Sequence, residues 1–522
     1  MNAKQFYLFR CFLILILATL TQFTSAQSVI YVNYAADGAN DGSSWASAFL
    51  NLQDALAAAE TGDEIWVAQG IYYPAPDDAE PGQTWFLLDK DIRLFGGFTG
   101  TEKTSDARDG VAHPTILSGD LLGDDVPGDL AQHREDNALH VMYVAMEITS
   151  EAVIDGFVFR GGHADEGVEE ENQPFRAMGG AVLSYGEPIL RNCRFTDNYA
   201  EYGGALAFLG GIDTKIEKCS FRGNGASAGG AVYVVNAATL EFEQSVFREN
   251  AATLGGAIYN STGITRLSNC LLAGNEASEN GSAIYCAGYN PEMPGLQLAH
   301  TTIADNGAAV PAIFQFTAST ENPVAVIQTG NSIFANAWNY GYPPDQNAPP
   351  LISLGGNIST DESLSGQLAA DHDFHAMDPG LSGDYRPAEA TSLCVDFGVS
   401  LEETLSFDIE GNSRPQGFGY DIGAFESAFF NTSISSAGAP QLDACLELSP
   451  NPVREILKVD IQTPQSQELW LEILDANGRI LREVRVQSPG ALFQDFQELP
   501  DGIYILRLTD GKKALTKKVL KQ

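Results

Sequence analysis

The stretch Gly255-Gly-Ala-Ile-Tyr-Asn260 returns along the chain, and its spacing decides the fold. Its relatives are Gly179-Gly-Ala-Val-Leu, Gly203-Gly-Ala-Leu-Ala, Gly229-Gly-Ala-Val-Tyr and the variant Gly281-Ser-Ala-Ile-Tyr, at intervals of 24, 26, 26 and 26 residues. A second pattern trails the first at nearly constant phase. It reads "NCRFTDN" from 192, "KCSFRGN" from 218, "QSVFREN" from 244, "NCLLAGN" from 269, "HTTIADN" from 300 and a shortened "NSIFAN" from 331. A period near 26, with short β-rich runs punctuated by Gly and Asn, is too short for a propeller blade and lacks the helical 3.6 pattern. It fits one coil of a parallel β-solenoid, each coil stacking on the last at about 4.8 Å.

That period turns alignment columns into physical ladders. Phe195, Phe221, Phe247, Leu272, Ile303 and Ile333 form one interior ladder, and Leu190, Ile216, Phe242, Leu267 and Leu298 a second. Asn198, Asn224, Asn250, Asn275, Asn306 and Asn336 fall where the coil bends. Asn tolerates left-handed geometry and can hydrogen-bond its stacked neighbour. The paired glycines supply another corner, where positive φ or close approach is needed. Ala48 to Glu60 has amphipathic spacing (Phe49, Leu52, Leu56, Ala59) and reads as a helix plugging the N-terminal end. Insertions at 163–176, 290–294 and 338–350 interrupt the repeat.

Lys4 and Arg10, an apolar run from Cys11 to Leu20 and the small residues Thr24-Ser25-Ala26 read as a secretory signal cleaved between Ala26 and Gln27. Beyond it no run is apolar and long enough for a transmembrane helix, so no membrane span is expected in the mature chain. The sequence divides into 1–26 (signal), 27–120 (cap and first coils), 121–427 (solenoid), 428–445 (a Ser-, Ala- and Asn-rich linker) and 446–522. The last part alternates apolar and polar residues around Asn-Gly and Asp-Gly turns, as a small antiparallel β-sandwich does. Net charge is −39. Residues 445–522 hold 11 Lys plus Arg against 11 Asp plus Glu, so the excess lies upstream. Such a body repels phosphate backbones, which excludes nucleic acid as a partner, and it repels polyanionic sugars unless a divalent cation intervenes.

A lyase or hydrolase needs carboxylates or a base at equal phase on neighbouring coils. Glu217 with Glu243 is such a column, flanked by Arg191 and Ser268, and reads first as a solvated face. Arg222 with Arg248 is a basic column, with Glu249 at hand as a surface partner. "DHDFHAMDP", 371–379, offers His372 and His375 as possible metal ligands in an irregular connection. "DGANDG", 37–42, lacks an oxygen ligand at the third position and a Glu at the twelfth of a calcium loop and reads as a turn. The acidic insertion Asp165, Glu166, Glu169, Glu170 and Glu171 clusters hard oxygens suited to calcium, or else is a solvated loop. Calcium is the cofactor that this sequence suggests, and none is required by it. Cys193 and Cys219 share a phase, so they form either a disulfide or, with Cys270, a buried thiol column. Tyr233, Tyr259 and Tyr285 recur at 26-residue intervals beside Val232, Ile258 and Ile284. If the β-branched column is interior, the tyrosines form an outward strip able to stack on sugars; if not, they are core.

The GGA(I/V/L) and FxxN pair over 179–306 resembles the repeat of polymorphic outer-membrane proteins and, more broadly, of right-handed parallel β-helix proteins of the pectin-lyase-like class. The resemblance implies an all-β, right-handed parallel β-helix with an N-terminal helical cap. Residues 29–120, with "YVNYAADGANDGSSWASAF" and "PTILSGD", resemble the N-terminal part of such secreted proteins. Residues 378–427, ending in Asp421-Ile-Gly-Ala-Phe-Glu426, resemble a choice-of-anchor Q element. Residues 446–522 resemble the C-terminal sorting domain of type IX secretion, at Pro450, Asn451 and Pro452, at Gly502 and Tyr504 and in the final Lys517–Lys521. This implies the type IX machinery as a partner and a location at the cell surface or outside the cell. The class hosts lyases, hydrolases, isomerases and adhesins alike. With no convincing catalytic column, the expectation is a non-catalytic protein binding glycan or a host or neighbouring cell surface. A polysaccharide lyase or glycoside hydrolase is the alternative.

Overall fold

The computed structural model describes residues 28–74, 84–165, 174–209, 213–235, 239–287, 295–316, 326–344, 349–370, 372–402, 405–417, 419–429, 442, 444–475, 479–510 and 513–521. The expected signal with Ala26 and Gln27 lies outside them, as do most of the linker and Glu166, Glu169, Glu170 and Glu171 of the acidic insertion.

Residues 29 to 359 build a parallel solenoid whose described strands form sheets of eleven, ten, nine and five strands. One full coil shows how. Asp213–Glu217 joins the eleven-stranded sheet, Ser220–Arg222 the ten-stranded, Gly225–Ala228 the five-stranded and Val232–Val235 the nine-stranded sheet. Thr239–Glu243 then pairs in parallel beside the first strand.

Three left-handed residues fold each of the central coils. In this coil they are Lys218 (φ 54°), Gly223 (φ 66°) and Gly229 (φ 69°), and the next coil repeats them at Gln244, Glu249 and Gly255. The ladder asparagines are not the left-handed residues; the residue before five of the six is, through Asp197, Gly223, Glu249, Gly274 and Asp305. Asn instead performs the bonding. Asn198, Asn224, Asn250, Asn275 and Asn306 each donate through Nδ2 to Oδ1 of the next rung at 2.9–3.1 Å, across 26, 26, 25, 31 and 30 residues. Each also donates to a main-chain carbonyl of an adjacent coil, as Asn250 does to Phe221 O at 3.0 Å. Each Oδ1 further accepts a main-chain N–H, as Asn250 Oδ1 does from Asn224 at 3.1 Å. The ladder ends on Asn339, whose N–H and amide are held by Asp361. At the third corner of the Gly255-Gly256 coil neither glycine has room for a side chain, whereas the last such corner carries Ser282 in the second place. Gly255 has φ 67°, and a Cβ on Gly256 would lie 2.2 Å from Ser282 O.

The interior is the expected pair of ladders. Phe159, Phe195, Phe221 and Phe247 stack at 4.7–5.1 Å with nearly parallel rings. Leu190, Ile216, Phe242, Leu267 and Leu298 are in register beside them. One rung differs: Ile303 pairs with Phe334, not Ile333, because "NSIFAN" has one residue fewer between its aromatic and its Asn. Ile333 pairs with Thr302 and packs into a separate cluster with Phe374, Phe397 and Ile422.

Both open ends of the core are covered. The N-terminal helix is Leu52–Ala58, capped by Asn51 Oδ1 on Asp54 N at 3.0 Å, and buries Leu52, Ala55 and Leu56 against Val32 and Ile65. It is shorter than Ala48 to Glu60, since Phe49 exchanges main-chain bonds with Tyr31 and Asn33 and is held extended. Leu364 and Leu368 cover the other end beside Phe334 and Tyr340.

Residues 378–427 fold back along the solenoid. The side chains of Arg414 and Glu426, both 0% exposed, pair at 2.9 Å, and Arg414 also reaches Asn269 Oδ1 and Gly423 O. Two antiparallel sheets of three and four strands then form the C-terminal body around its own core. Its last strand, Ala514–Lys521, touches residues 390–397: Lys518 Nζ donates to Val395 O at 2.9 Å and Ala390 O at 3.1 Å, beside Asp396 at 3.5 Å.

Asn250→Ala strands the amide and main-chain N–H of Asn224 without an acceptor. Leaving buried donors unpaired costs about 1–3 kcal/mol each, so a loss near 3 kcal/mol in urea unfolding is expected. The outward Lys215→Ala should stay within about 0.5 kcal/mol. Burial, followed by the nearby Asp421, pushes Glu426 up to about 7. A carboxyl raised in the fold contributes its stability below the unfolded value, and that contribution is lost as pH rises through the folded value. The melting temperature of the native protein should therefore fall relative to that of Glu426→Gln between about pH 5 and 8. A difference moving the other way would show that the ionised form is the favoured one.

Candidate functional site

The nine-stranded sheet carries the aromatic column on its exterior. Val232, Ile258 and Ile284 are fully buried in the core, so the alternating Tyr233, Tyr259 and Tyr285 point outward. Their ring centroids are 5.5 and 4.8 Å apart, and Phe314 continues the column at 5.4 Å. Tyr202, from the five-stranded sheet, leans on Tyr233 at 5.1 Å. Tyr259 and Tyr285 are inclined by only 5°, so their faces meet each other. Edges and phenol groups are therefore what the half-buried Tyr233 and Tyr259 present outside. Tyr285 is outward but 7% exposed. Burial pushes all three hydroxyls up, which keeps them protonated hydrogen-bond donors.

The charged columns are engaged with one another. Arg191 Nε holds Glu217 at 2.7 Å, and Glu243 is exposed beside it. Arg222 grips both oxygens of Glu249, at 2.9 and 3.0 Å, while Arg248 lies 5.2 Å over the Tyr385 ring. His372 and His375 do not converge: His372 Nδ1 meets Phe397 O at 2.9 Å and His375 Nε2 meets Leu368 O at 2.8 Å. Asp373 between them accepts from the Asn357 N–H and amide and from Ser353. Residues 37–42 form a turn in which Asp41 caps Ser43 N and Asn40 holds Leu50 N. Asp165 is exposed and faces His163 at 3.3 Å.

All six described cysteines are free thiols, and Cys193, Cys219 and Cys270 lie in the core. Ser245 completes their column, its Oγ accepting from Cys219 N at 3.1 Å.

The column search missed a groove because one wall is not repetitive. Residues 105–111 lie across Asn192, Arg194, Lys218 and Ser220 and enclose about 660 Å³. Arg108 pairs there with Asp155 at 2.8 Å and Arg194 donates to Gly110 O at 3.0 Å, leaving Lys218 exposed at the rim. The clue available in the sequence was the Arg194, Lys218 and Ser220 wall at the start of successive second-pattern repeats.

The C-terminal motif residues hold the last strand in place. Asn451 accepts Leu520 N at 2.9 Å and donates to Lys518 O at 3.2 Å. Pro450 and Pro452 flank it, one exposed and one half-buried. Gly502 opens the strand paired with 514–521, and Tyr504 donates to Pro500 O at 2.7 Å.

Residues 154–306 match the family described as right handed beta helix region, and residues 447–522 match the secretion system C-terminal sorting domain. The chain is a right-handed parallel β-helix with a C-terminal secretion sorting domain. That domain assigns export by type IX secretion across the outer membrane, to the cell surface or the extracellular space. No curated protein matches this β-helix. The crystal structure of pectate lyase Pel9A is similar to it at a TM-score of 0.40 and 14% identity, over 77% of this chain and 97% of that one. No helix among the described residues is long and apolar enough to cross a membrane.

A thiol reagent should titrate one cysteine, the exposed Cys445, in the native mature protein and six after denaturation. Burial raises Cys219 and pushes Cys270 up to about 12, which suppresses the reactive thiolate. Recovery of only four after denaturation without reductant would reveal a disulfide.

Proposed function

We propose that the exported β-helix is a non-catalytic binding protein whose ligand is a carbohydrate polymer lying along the outward tyrosine strip. The observation that carries this reading is the strip itself. Tyr233 and Tyr259 present ring edges and hydroxyls from neighbouring coils with ring centres 5.5 Å apart, and Tyr202 of the adjoining sheet leans on Tyr233 at 5.1 Å. Ring edges offer apolar contact to sugar C–H faces, and the hydroxyls offer hydrogen bonds; amphipathic aromatics suit both. The ladder order holds the rings in place before the ligand arrives, which lowers the entropy cost of binding. The engagement of Glu217 by Arg191 and of Arg222 by Glu249 supports a binding role over a catalytic one. Sorting to the cell surface suits a polysaccharide of the surroundings or of a neighbouring cell as the partner.

The groove in which Arg194 and Lys218 stand opposite Asp106 and Asp109 favours a second reading, a lyase acting on an acidic polysaccharide. There Lys218 would take the proton and Arg194 would face the uronate carboxylate.

Glycan-array and pull-down measurements on the mature protein separate the two. Tyr259→Ala should weaken polysaccharide binding about threefold to tenfold, an aromatic contact being worth about 0.5–1.5 kcal/mol, with the far-ultraviolet spectrum unchanged. No unsaturated product or new reducing end should appear over a polysaccharide panel, with or without calcium. Turnover abolished by Lys218→Ala and untouched by Tyr259→Ala would replace the binding reading with the lyase.

A further inference from the structure

We propose that a groove on the eleven-stranded sheet, between the outward row Arg266, Gln297 and Gln328 and the strap of residues 398–402, is a second binding site and takes a neutral oligosaccharide. It lies on a different sheet from the tyrosine strip and stands whether or not the strip binds sugar. The groove encloses about 380 Å³, within the roughly 300–1,000 Å³ of small-molecule sites. Ser268 and Ala299, two residues further along the strands of Arg266 and Gln297, also line it, and their small side chains leave it open.

Both walls are fixed in advance. Arg266, Gln297 and Gln328 stand in register on three successive strands, about 4.8 Å apart, and face outward because Leu267, Leu298 and Ile327 beside them lie in the core. Arg266 donates through Nη1 to Glu241 and through Nε to Gln297 Oε1 at 3.1 Å, which holds the guanidinium plane. Gln328 is half-buried, and its amide makes no hydrogen bond among the described residues. On the strap, the buried Asn331 grips Val399 twice, its Oδ1 accepting Val399 N and its Nδ2 donating to Val399 O, each at 2.7 Å. Leu401 settles on Gly330, where an added Cβ would lie 2.8 Å from Leu401 Cδ2. A site held in place this way spends little entropy on ordering when a ligand arrives.

The lining selects the ligand. Arg266 is offset by Glu402 within the groove and by Glu241 beside it, so a polyanion gains no net attraction. What remains are the amides and hydroxyls of Gln297, Gln328, Ser268 and Ser400, groups that both donate and accept, together with the apolar Leu354 and Leu401. Leu354 is 44% exposed, and Ile352, in register with Gln328 on the same face, is 45% exposed. A pyranose offers the same combination, hydroxyls around its rim and apolar C–H faces. An extended peptide fits less well, since it binds sheets by pairing with a free strand edge, and the three strands of this row are already paired on both sides.

The test is hydrogen–deuterium exchange of the full-length mature protein with cellohexaose, xylohexaose or mannohexaose at millimolar concentration, and with hexagalacturonate as the acidic probe. At least one neutral hexamer should slow exchange in the peptide spanning 398–402. Gln328→Ala, which breaks no bond within the protein, should weaken that binding about threefold to tenfold, the loss of one or two hydrogen bonds. Ser268→Phe, which places a ring in the groove, should abolish it. Both variants should leave the response of residues 255–260, on the tyrosine strip, as it is in the native protein. Exchange at 398–402 unchanged by all three neutral hexamers would overturn the proposal, and the response of 255–260 judges the strip separately. Protection at 398–402 that survives both variants, or that hexagalacturonate produces as well as the neutral sugars, would overturn it too.

Discussion

A file of buried side-chain amides, from Asn198 to Asn339, is the constraint from which the rest of the solenoid follows. A coil that turns three times must expose main-chain groups at each corner, and inside a stacked core those groups cannot reach water. Asparagine resolves this because it carries a donor and an acceptor at one head. The amide binds its counterpart above, a carbonyl beside it and an N–H below, so each rung is satisfied only if its neighbours are present. The period is thereby locked. Insertions enlarge a rung from 25 to 31 residues without moving the amide, because the surplus is expelled elsewhere on the coil.

The same constraint makes the ends costly, and they are managed in two ways. A seven-residue helix and the turns around Leu364 close the apolar core. Residues 378–427 then run back along the solenoid and anchor on it through the buried Arg414, whose ion pair with Glu426 is reinforced by Asn269 of a corner. The sorting domain extends the assembly through Lys518, which reaches main-chain carbonyls of residues 390–397. A charged ammonium placed beside Asp396 offsets its own desolvation, so the contact orients the domain more than it stabilises it.

On the exterior, stacking at strand spacing brings like side chains together. Aromatic groups profit from this by meeting face to face, as Tyr259 and Tyr285 do. Like charges meet less favourably: Lys215, Glu241 and Arg266 alternate in sign across three strands, while the like pairs Glu217–Glu243 and Arg222–Arg248 are accompanied by Arg191 and Glu249.

The repeat made most of the solenoid legible from the sequence, since equal phase means vertical contact once strands stack at a fixed rise. The Phe, Leu and Asn ladders, save the rung where Phe334 replaces Ile333, and the paired-glycine corner followed from it; the shared phase of Cys193 and Cys219 left both a disulfide and a thiol column open. Phase also foresaw the choice of faces for Tyr233, Tyr259 and Tyr285, but only the burial of Ile258 decided between them. The position of the left-handed residue was displaced by one, because the amide bonds of Asn demand ordinary geometry at its own Cα and pass the strain to its predecessor. What the sequence by itself determined is therefore everything that recurs. Only the tertiary structure decided where the aperiodic segments meet. The seating of residues 398–402 beside Gln328, the divergence of His372 and His375, and the closing of a groove by residues 105–111 depend on loop paths that no repeat phase encodes.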